Sequence, residues 1–466
     1  MIYVRTCAYN AEKTLRRAMD SVLNQTYGEL TYYVLDNGST DRTGEILREY
    51  AEKDSRVVPF FNRVNRNLKE NPDFWSLAYR LKENDMFCLL DADDEYDTTF
   101  LEEMISFMKE KKLDIAACGT RFINAMNGTV CGERVISQSR MLFDEVSFNR
   151  YFAEVHWNLR QVWGKIYTAK AAKARYETEL PEWFPKAYGG DTINVYECVK
   201  ASDAIGVYAK TLHSYYMSPE SVSYKWIEGR EDADEILFNK SVELLLQKCG
   251  FVSESNLNFL YVVYYNALKD TFNVLFRTEQ TPERKVELAE KIMGKSVTKE
   301  MLKRIPQNEK LAFVQELVQR LLLLELSTSG QGRNRCYDFL ASFTEQFSQL
   351  ISREDFADFL KESKQIIEMV ALGRYQQVME TLLLMLKEGH GSQRVQGEWI
   401  ELGLNIAALC EREDVYIAFS KKQILWKWES GRQEEAMEEW NEWKQMLPQD
   451  KELEEIGKKI KKSSKV

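Results

Sequence analysis

Residues 86–94 have the sequence Met-Phe-Cys-Leu-Leu-Asp-Ala-Asp-Asp, in which an apolar run passes directly into three carboxylates. A short, continuous apolar run is typical of a strand that is buried on both faces, as in a parallel sheet covered by helices. Ligands of such open sheets bind beyond the carboxyl ends of the strands, which is where Asp91, Asp93 and Asp94 fall. The stretch therefore predicts an α/β fold with a functional site at this edge of the sheet.

The spacing of these acids favours a metal site. If the strand geometry persists, Asp91 and Asp93 point to the same side, because side chains alternate along a strand. Two like charges about 4 Å apart repel by roughly 4 kcal/mol at an effective dielectric constant near 20. A divalent cation with oxygen ligands would offset this repulsion. The alternative is an acidic surface turn before a helix, since turns favour Asp for local reasons.

Composition limits the class of protein. The 466 residues allow two or three domains. The net charge of -10 argues against a nucleic-acid partner, which would require a basic surface. The eight cysteines show no CxxC spacing, which indicates reduced thiols in the cytoplasm, and the three histidines argue against a His-built metal site.

The sequence predicts no membrane span. No apolar run approaches the roughly 18 residues of a transmembrane helix. A strand-like segment begins at Met1 and leaves no room for a signal peptide, so we expect a cytoplasmic protein. The basic tail at residues 458–462 is typical of a solvated helix end, and it leaves peripheral membrane association open.

Strand and helix patterns alternate in the first part of the chain, which implies parallel pairing with right-handed crossovers. Strands are expected at residues 2–7, 31–35, 57–61, 86–90, 114–120, 129–136, 162–167, 205–208 and 213–216. Helices are expected at residues 11–24, 43–52, 74–82, 100–111 and 144–155, and from residue 190. Asn10 is the expected N-cap of the first helix.

Beyond Trp226 the strand patterns stop and helical periodicity continues to the end of the chain. We therefore predict a first domain over residues 1–225 and an all-helical domain over residues 226–466, with a softer division near residue 330. Gly373-Arg374-Tyr375 and Gly431-Arg432-Gln433 each open a helix as in tetratricopeptide pairs, although their separation is not the expected period of about 34 residues. The helical half would bind an acceptor, a protein partner or its own copy.

Four short motifs in the first domain are informative together. Tyr9 ends the first strand, Asp36-Asn37 ends the second, Asp91–Asp94 ends the fourth, and Asp191 opens a later helix. Each motif alone has a structural interpretation as core, turn or N-cap. Three of them, however, end strands at the same edge of the expected sheet, which favours a common site.

These motifs resemble those of the family 2 glycosyltransferases with the GT-A fold. The resemblance rests on residues 8–13, 21–27, 35–41, 90–94, 163–167, 190–192 and 219–223. Together they cover roughly the first half of the chain. The chain departs from the family pattern at Asn37, Gly190 and Ser218, where many members have Asp, Glu and His.

The resemblance implies a metal-assisted, inverting transfer of a sugar, of hexosyltransferase type, from a nucleotide-diphosphate sugar to a hydroxyl-bearing glycan or lipid-linked acceptor. The implied roles are Tyr9, Asp36 and Asn37 at the base of the nucleotide, Asp91 at the nucleoside, Asp93 on Mg2+ or Mn2+, Asp191 as general base, and Trp163 and Lys165 on the acceptor side.

Two other functions compete with this one. The first is a degenerate transferase domain that acts as a nucleotide-sugar-binding or scaffold module with a helical interaction domain. The second is a nucleotidyltransferase, which would need a Gly-rich phosphate loop after the first strand, whereas Cys7 to Ala11 contain no glycine. A loose phosphate-loop pattern at residues 289–296 is rejected, because it lies in an amphipathic helix that ends at Gly294.

Overall fold

A computed structural model describes residues 1–66, 71, 74, 76–177, 188–218, 225–327, 366, 369–370, 372–390 and 393–463. Contacts among its residues group the chain into two compact units, Met1–Val274 and Leu275–Val466. The motif at residues 219–223 and the expected division near residue 330 lie outside the described residues.

The first unit is built on one mixed sheet. Its described strands are β1 (Ile2–Ala8), β2 (Leu30–Asp36), β3 (Val57–Phe61), β4 (Met86–Leu89), β5 (Glu95–Tyr96), β6 (Ile115–Asn124), β7 (Val130–Arg134), β8 (Arg140–Leu142), β9 (Lys165–Thr168) and β10 (Ile205–Met217). The order is β3-β2-β1-β4-β9-β6-β10-β5, with β7 beside β6 and β8 beside β10. Strands β1, β2, β3, β4, β6 and β10 run in one direction, and the other four run against them.

Helices cover both faces of this sheet. They are α1 (Leu15–Leu23), α2 (Thr43–Lys53), α3 (Phe100–Lys111), α4 (Glu145–Leu159), α5 (Ala169–Glu177), α6 (Gly190–Lys200), α7 (Arg230–Cys249) and α8 (Glu254–Arg277). One core lies between the sheet and α1, α2 and α3. A second core lies between the sheet and α4, α5, α6 and α7. The predicted α/β class is confirmed.

The expected boundary near residue 225 precedes α7. In the structure α7 belongs to the first unit, because Leu244 and Leu245 on this helix are completely buried in the second core beside α4 and α6.

The first helix is shorter than predicted, and Asn10 is not its N-cap. Asn10 has a positive φ of 50°, and its Oδ1 accepts a hydrogen bond from the Thr40 backbone N–H at 2.9 Å. The helix starts only at Leu15, after a turn. The Asn10 side chain therefore forms a hydrogen bond with the segment that follows β2 instead of with the first turn of the helix. This tertiary contact replaces the local capping hydrogen bond that the sequence favoured.

Two other local predictions change. Residues 205–217 form one strand instead of the two that were predicted. The pairing of β10 with β6 shifts register between Val207 and His213, and such an irregularity interrupts the alternation of side chains within a continuous strand. The helix predicted at residues 74–82 is described only as a 3₁₀ helix at Ser76–Arg80.

The described part of the second unit is helical, as predicted. Its helices are α9 (Pro282–Gly294), α10 (Ser296–Arg304), α11 (Gln307–Ser327), α12 (Tyr375–Glu388), α13 (Gln393–Leu409), α14 (Glu413–Glu429), α15 (Gln433–Met446) and α16 (Lys451–Ser463). Helices α14, α15 and α16 share a core around Ile424, Trp440 and Ile456. In the basic tail, Lys459 pairs with Glu429 at 2.8 Å. Among the described helices of the whole chain, none is both long and apolar enough to cross a bilayer.

Gly403 lets α13 pack closely on α14. A Cβ at this position would lie 2.2 Å from Cζ of Phe419, which is completely buried. Because a Phe ring in a packed core cannot move aside cheaply, we expect Gly403→Ala to lower the free energy of unfolding by about 1–3 kcal/mol. Urea unfolding followed by circular dichroism measures the loss. Gly294→Ala is the control, since nothing lies within 4 Å of a Cβ there, and an equal loss in both variants would contradict the packing argument.

Candidate active site

The acidic turn, residues 91–94, is anchored to the neighbouring strand β1. The Leu90 backbone N–H donates to the Arg5 carbonyl at 3.1 Å, and the Thr6 hydroxyl donates to the Leu90 carbonyl at 2.7 Å. Asp91 and Asp93 are exposed, whereas Asp94 is completely buried. The exposed pair thus flanks Ala92, which is buried, as expected for alternating side chains.

The ends of β1 and β2 meet beside this turn. Tyr9, which directly follows β1, is exposed. Asp36, the last residue of β2, is buried, and its Oδ1 accepts a hydrogen bond from the Ser39 backbone N–H at 2.9 Å. The thiol of Cys7 lies near two of the predicted site residues: burial, with smaller contributions from the Asp91 and Asp36 carboxylates, raises its pKa to about 12 although Arg5 opposes the rise. The structure therefore brings Asp36 and Asp91 to one edge of the sheet.

The side chain of Asn37 is occupied by other polar groups. Its Nδ2 donates to Asn65 Oδ1 at 2.9 Å and to the Arg66 carbonyl at 2.8 Å. Its Oδ1 accepts from Asn62 Nδ2 at 2.7 Å, and Asn71 Nδ2 donates to Asn62 Oδ1 at 2.9 Å. These four asparagines form an amide cluster that holds the chain after β3 against the end of β2. The assignment of Asn37 to the nucleotide base stays a prediction.

Arg17 on α1 contributes a positive charge to the acidic turn. Its Nη2 donates to the Asp93 backbone carbonyl. Its guanidinium lies 3.5 Å from the centroid of the Tyr216 ring, and its Nε is 3.9 Å from Glu95 Oε2. Desolvation by surrounding protein atoms raises the pKa of the Asp93 carboxyl, while Arg17 and His213 oppose the rise.

Asp94, for which the sequence suggested no role, joins the acidic turn to β10. Its Oδ1 accepts from the Tyr216 backbone N–H at 3.0 Å, and its Oδ2 lies 3.4 Å from His213 Nε2. Burial and the neighbouring Asp93 raise the pKa of Asp94 well above its usual value. Burial also lowers the pKa of His213 to about 3. Burial therefore favours the neutral form of both groups.

Trp163 lies over the same histidine. The two rings stack with centroids 4.7 Å apart and an interplanar angle of 11°. Trp163 is half-buried, so it forms part of the surface next to the acidic turn.

Lys165 lies beneath the Trp163 segment, with only 1% of its surface exposed. Its Nζ donates to the Gln161 carbonyl at 2.5 Å and to the Trp163 carbonyl at 3.4 Å. Burial lowers the pKa of Lys165 from 10.5 to about 7. The ammonium group therefore supports the backbone of this segment. Its placement on the acceptor side stays a prediction, as does that of Trp163.

The lowered pKa of Lys165 predicts a pH dependence of stability. Above about pH 7 the folded chain releases the Lys165 proton, whereas the unfolded chain keeps it up to a pKa near 10.4. Because the unfolded state binds more protons in this interval, the contribution of Lys165 to stability rises with pH. We expect the free energy of unfolding of the wild type, relative to Lys165→Met, to rise between pH 7 and pH 9.5 by up to about 1.4 kcal/mol per pH unit.

Urea titrations at both pH values measure this difference. Lys109→Met removes an exposed lysine on α3 and serves as the control, with a difference from wild type that stays constant. A constant difference for Lys165→Met as well would show that Lys165 keeps its ordinary pKa in the folded protein.

Asp191 lies in the first turn of α6, after Gly189 with a φ of 82°. Its side chain is exposed. Within the described residues, no hydrogen bond or ion pair joins it to the acidic turn. Its role as general base stays a prediction, supported by its place in an exposed first turn.

The acidic turn fits a metal ion that is shared with a substrate. The described residues contain no group of three or more His, Cys, Asp or Glu side chains able to hold an ion by themselves. Mg2+ in proteins is commonly held by one or two carboxylates together with substrate phosphates and water. The exposed carboxylates of Asp91 and Asp93 provide that smaller donor set.

Sequence analysis missed Arg17, His213 and Tyr216. Arg17 is 76 residues from Asp93, and Tyr216 is 122 residues from Asp94. No local pattern reports such distant contacts. The only available signal was the unexplained third acid of the turn, Asp94.

The N-terminal part of the chain is similar to known proteins. Residues 3–171 match the model of the family described as Glycosyl transferase family 2. A solved structure of S. aureus TarS residues 1–349 in complex with UDP-GlcNAc is 16% identical, with a TM-score of 0.48, and covers 75% of this chain and 92% of that one.

Several curated relatives share the N-terminal part. "Glycosyltransferase GlyA" of Streptococcus pneumoniae is 28% identical over 232 residues, which are 47% of this chain and 31% of the relative. An uncharacterized glycosyltransferase of Haemophilus influenzae is 31% identical over 120 residues, 26% of this chain and 36% of the relative. The Escherichia coli "UDP-Glc:alpha-D-GlcNAc-diphosphoundecaprenol beta-1,3-glucosyltransferase WfaP" is 28% identical over 113 residues, 24% of this chain and 43% of the relative. The match thus spans about a third of the first relatives' own length. Residues 3–171 of the chain therefore form a region that matches the family 2 glycosyltransferases.

Proposed function

We propose that the protein transfers a hexosyl group from a nucleotide-diphosphate sugar to a hydroxyl acceptor, with inversion at the anomeric carbon and with the assistance of Mg2+ or Mn2+. The observation that carries the proposal is the convergence of Asp36, Asp91 and Asp93 at one edge of the sheet of a family 2 domain. The name of the relative WfaP specifies a UDP-glucose donor, which supports a nucleotide sugar as the donor class.

The donor would lie across the ends of β1, β2 and β4. The exposed ring of Tyr9 and the carboxylate of Asp36 would contact the base, together with Asn37 if its amide cluster leaves room. Asp91 would bind the nucleoside. Asp93 would hold the metal ion, which neutralises charge on the leaving diphosphate. Arg17 fixes the backbone of Asp93 and so keeps this carboxylate in place.

The acceptor would approach from the side of Trp163 and Asp191. The carboxylate of Asp191 would take the proton of the acceptor hydroxyl as that oxygen attacks the anomeric carbon. Attack from the face opposite the leaving diphosphate inverts the configuration. Lys165 would shape this side by holding the backbone carbonyls of Gln161 and Trp163.

A panel of nucleotide sugars tests the proposal. We expect one or more members, added with Mn2+, to raise the unfolding temperature of the full chain, because a ligand that binds only the folded state stabilises it by mass action. The same member should be hydrolysed slowly or transferred to an acceptor, and EDTA should prevent both effects. Stabilisation without any turnover would instead favour a nucleotide-sugar-binding module, and the absence of both effects would contradict the proposal.

A further inference from the structure

A continuous series of stacked side chains leads away from the acidic turn. It begins at His213, which is 3.4 Å from Asp94 and stacks with Trp163. Trp163 also stacks with Tyr215, with centroids 5.5 Å apart. The rings of Tyr215 and Phe122 then meet edge to face at 5.9 Å.

Two arginines continue the series. The guanidinium of Arg134 lies 4.9 Å from the centroid of Phe122 and 5.5 Å from that of Trp157. The guanidinium of Arg160 lies 5.1 Å from the same Trp157 centroid. We call the surface formed by Trp163, Tyr215, Phe122, Arg134, Trp157 and Arg160 the aromatic–arginine strip. Its members are all half-buried.

The far end of the strip reaches the helix that carries Asp191. Arg160 and Thr192 line the same small cavity of about 20 Å³, and Thr192 directly follows Asp191 in the first turn of α6. The strip therefore connects the turn that carries the proposed metal ligand with the start of the helix that carries the proposed general base.

The charge of the strip is not balanced by carboxylates. In the described part of the chain, neither Arg134 nor Arg160 has a carboxylate oxygen within 4.0 Å. Other arginines of the same domain do: Arg121 pairs with Glu133 at 3.0 Å, and Arg140 pairs with Glu154 at 2.8 Å. Burial, with a smaller contribution from the positive charge of Arg160, lowers the pKa of Arg134 to about 10.

The nearest buried polar groups do not form an ion pair with these arginines. Asp234 lines the cavity beside Arg160, but its oxygens accept hydrogen bonds from the Tyr188 hydroxyl at 2.9 Å and the Thr271 hydroxyl at 2.7 Å. Burial raises the pKa of Asp234, and Arg160 is among the groups that oppose the rise. His156, which is 2% exposed and lines the same cavity, has no hydrogen-bond partner on either ring nitrogen among the described residues. Burial, with smaller contributions from the two arginines, lowers the pKa of His156 well below its usual value, so this ring supplies no negative charge.

We infer that Arg134 and Arg160, whose guanidinium groups both lie within 5.5 Å of the Trp157 ring centroid, bind an oxyanion carried by a sugar acceptor. Guanidinium groups bind phosphate and carboxylate oxygens through paired, charge-assisted hydrogen bonds. The aromatic faces of Trp163 and Trp157 suit the apolar face of a sugar ring. The identification of the ligand as a sugar acceptor rests on the proposed function. The existence of an anion-binding site does not depend on it.

The alternative is that these arginines bind no anion and that their aliphatic stems only pack on the aromatic rings. Arg140 provides a matched control, since it also stacks on an aromatic ring, at 4.6 Å from the Tyr151 centroid, but is paired with Glu154. Replacing it removes a stacked arginine without removing an unbalanced charge.

Calorimetric titration of the full chain with glucose 1-phosphate, in EDTA and without nucleotide, tests the site. We expect measurable binding that weakens as NaCl is raised, and no comparable binding of glucose. Arg134→Gln and Arg160→Gln should each weaken binding roughly tenfold or more, because each removes a charge-assisted hydrogen bond. Arg140→Gln should bind as the wild type does. Glucuronate in a parallel titration shows whether a carboxylate is accepted as well as a phosphate.

Circular dichroism and the unfolding temperature establish that each variant folds, and Arg134→Lys keeps the charge if the Gln variant does not fold. Equal binding of glucose and glucose 1-phosphate would overturn the inference, as would unchanged binding in both Gln variants. Because the titration needs neither metal nor donor, binding that persists in Asp93→Ala separates this site from the donor site. If no nucleotide sugar stabilised the protein while glucose 1-phosphate still bound in an arginine-dependent way, the proposed function would be contradicted. The inference of an anion site would still hold.

Discussion

Asp93→Ala is expected to lower the rate of sugar transfer by roughly 10²–10⁴-fold, because a metal ion at a leaving diphosphate contributes several kcal/mol of transition-state stabilisation. Asp93 is exposed at the end of β4, and its backbone carbonyl is fixed by Arg17. The side chain can therefore be removed without disturbing a core contact. The measurement is the rate of donor hydrolysis and transfer across a Mn2+ titration, with the donor that gives the largest thermal stabilisation.

Glu83→Ala is the matched control for Asp93→Ala. Glu83 is an exposed carboxylate in the loop that precedes β4, at the opposite end of the same strand, so its removal changes the net charge equally. Its transfer rate should equal that of the wild type. If Asp93→Ala kept the wild-type rate at every Mn2+ concentration, Asp93 would not be a metal ligand, and the acidic turn would have only a structural role.

The edge of the sheet that carries Asp93 could be predicted because it depends on local patterns. The apolar run before Asp91 predicts a buried strand, and β4 ends at Leu89, two residues before Asp91. The strand ends at Ala8 and Asp36 follow from similar short runs. Since parallel strands end at the same edge, three local predictions suffice to bring their terminal residues together.

Side-chain environments at this edge could not be predicted in the same way. The resemblance placed Asn37 at the nucleotide base, and the structure adds that Asn62 and Asn65 bond to its amide. The resemblance placed Lys165 on the acceptor side, and the structure adds that this side chain is almost completely buried. The partners of Asn37 lie outside the motif that suggested its role, as does Gln161, one of the two carbonyl partners of Lys165. A motif gives the residue type, whereas burial depends on what the rest of the fold places around it.

The largest difference between the sequence prediction and the structure concerns the role of Asp94. The sequence identified an acid without a role, and the structure shows that this acid holds β10 through Tyr216 and faces His213. Asp94 directly precedes β5, which pairs with β10 so that Ser214 lies opposite Glu95; side-chain alternation does not reveal this pairing. Such a contact joins residues more than a hundred positions apart, so only the assembled sheet reveals it.

Asp191→Asn is expected to reduce transfer by roughly 10²–10⁴-fold, the usual contribution of a general base. Asn has nearly the same shape as Asp but cannot accept a proton at neutral pH. Asp191 is exposed in the first turn of α6, so the substitution should leave the fold intact. Donor binding should be nearly unchanged, because the proposed donor contacts lie on β1, β2 and β4. The measurements are the single-turnover rate and the donor dissociation constant on the same preparation.

Glu197→Gln, on the same helix, is the control for this change. Glu197 pairs with Lys200 at 2.9 Å, so the variant removes a charge from α6 without touching its first turn, and it should transfer at the wild-type rate. A pH profile separates catalysis from structure: a general base makes the wild-type rate fall at low pH as its carboxylate is protonated, and this fall should be absent from the residual rate of Asp191→Asn. If Asp191→Asn lost donor binding together with transfer, Asp191 would belong to the donor site, and the base that deprotonates the acceptor would have to be another residue.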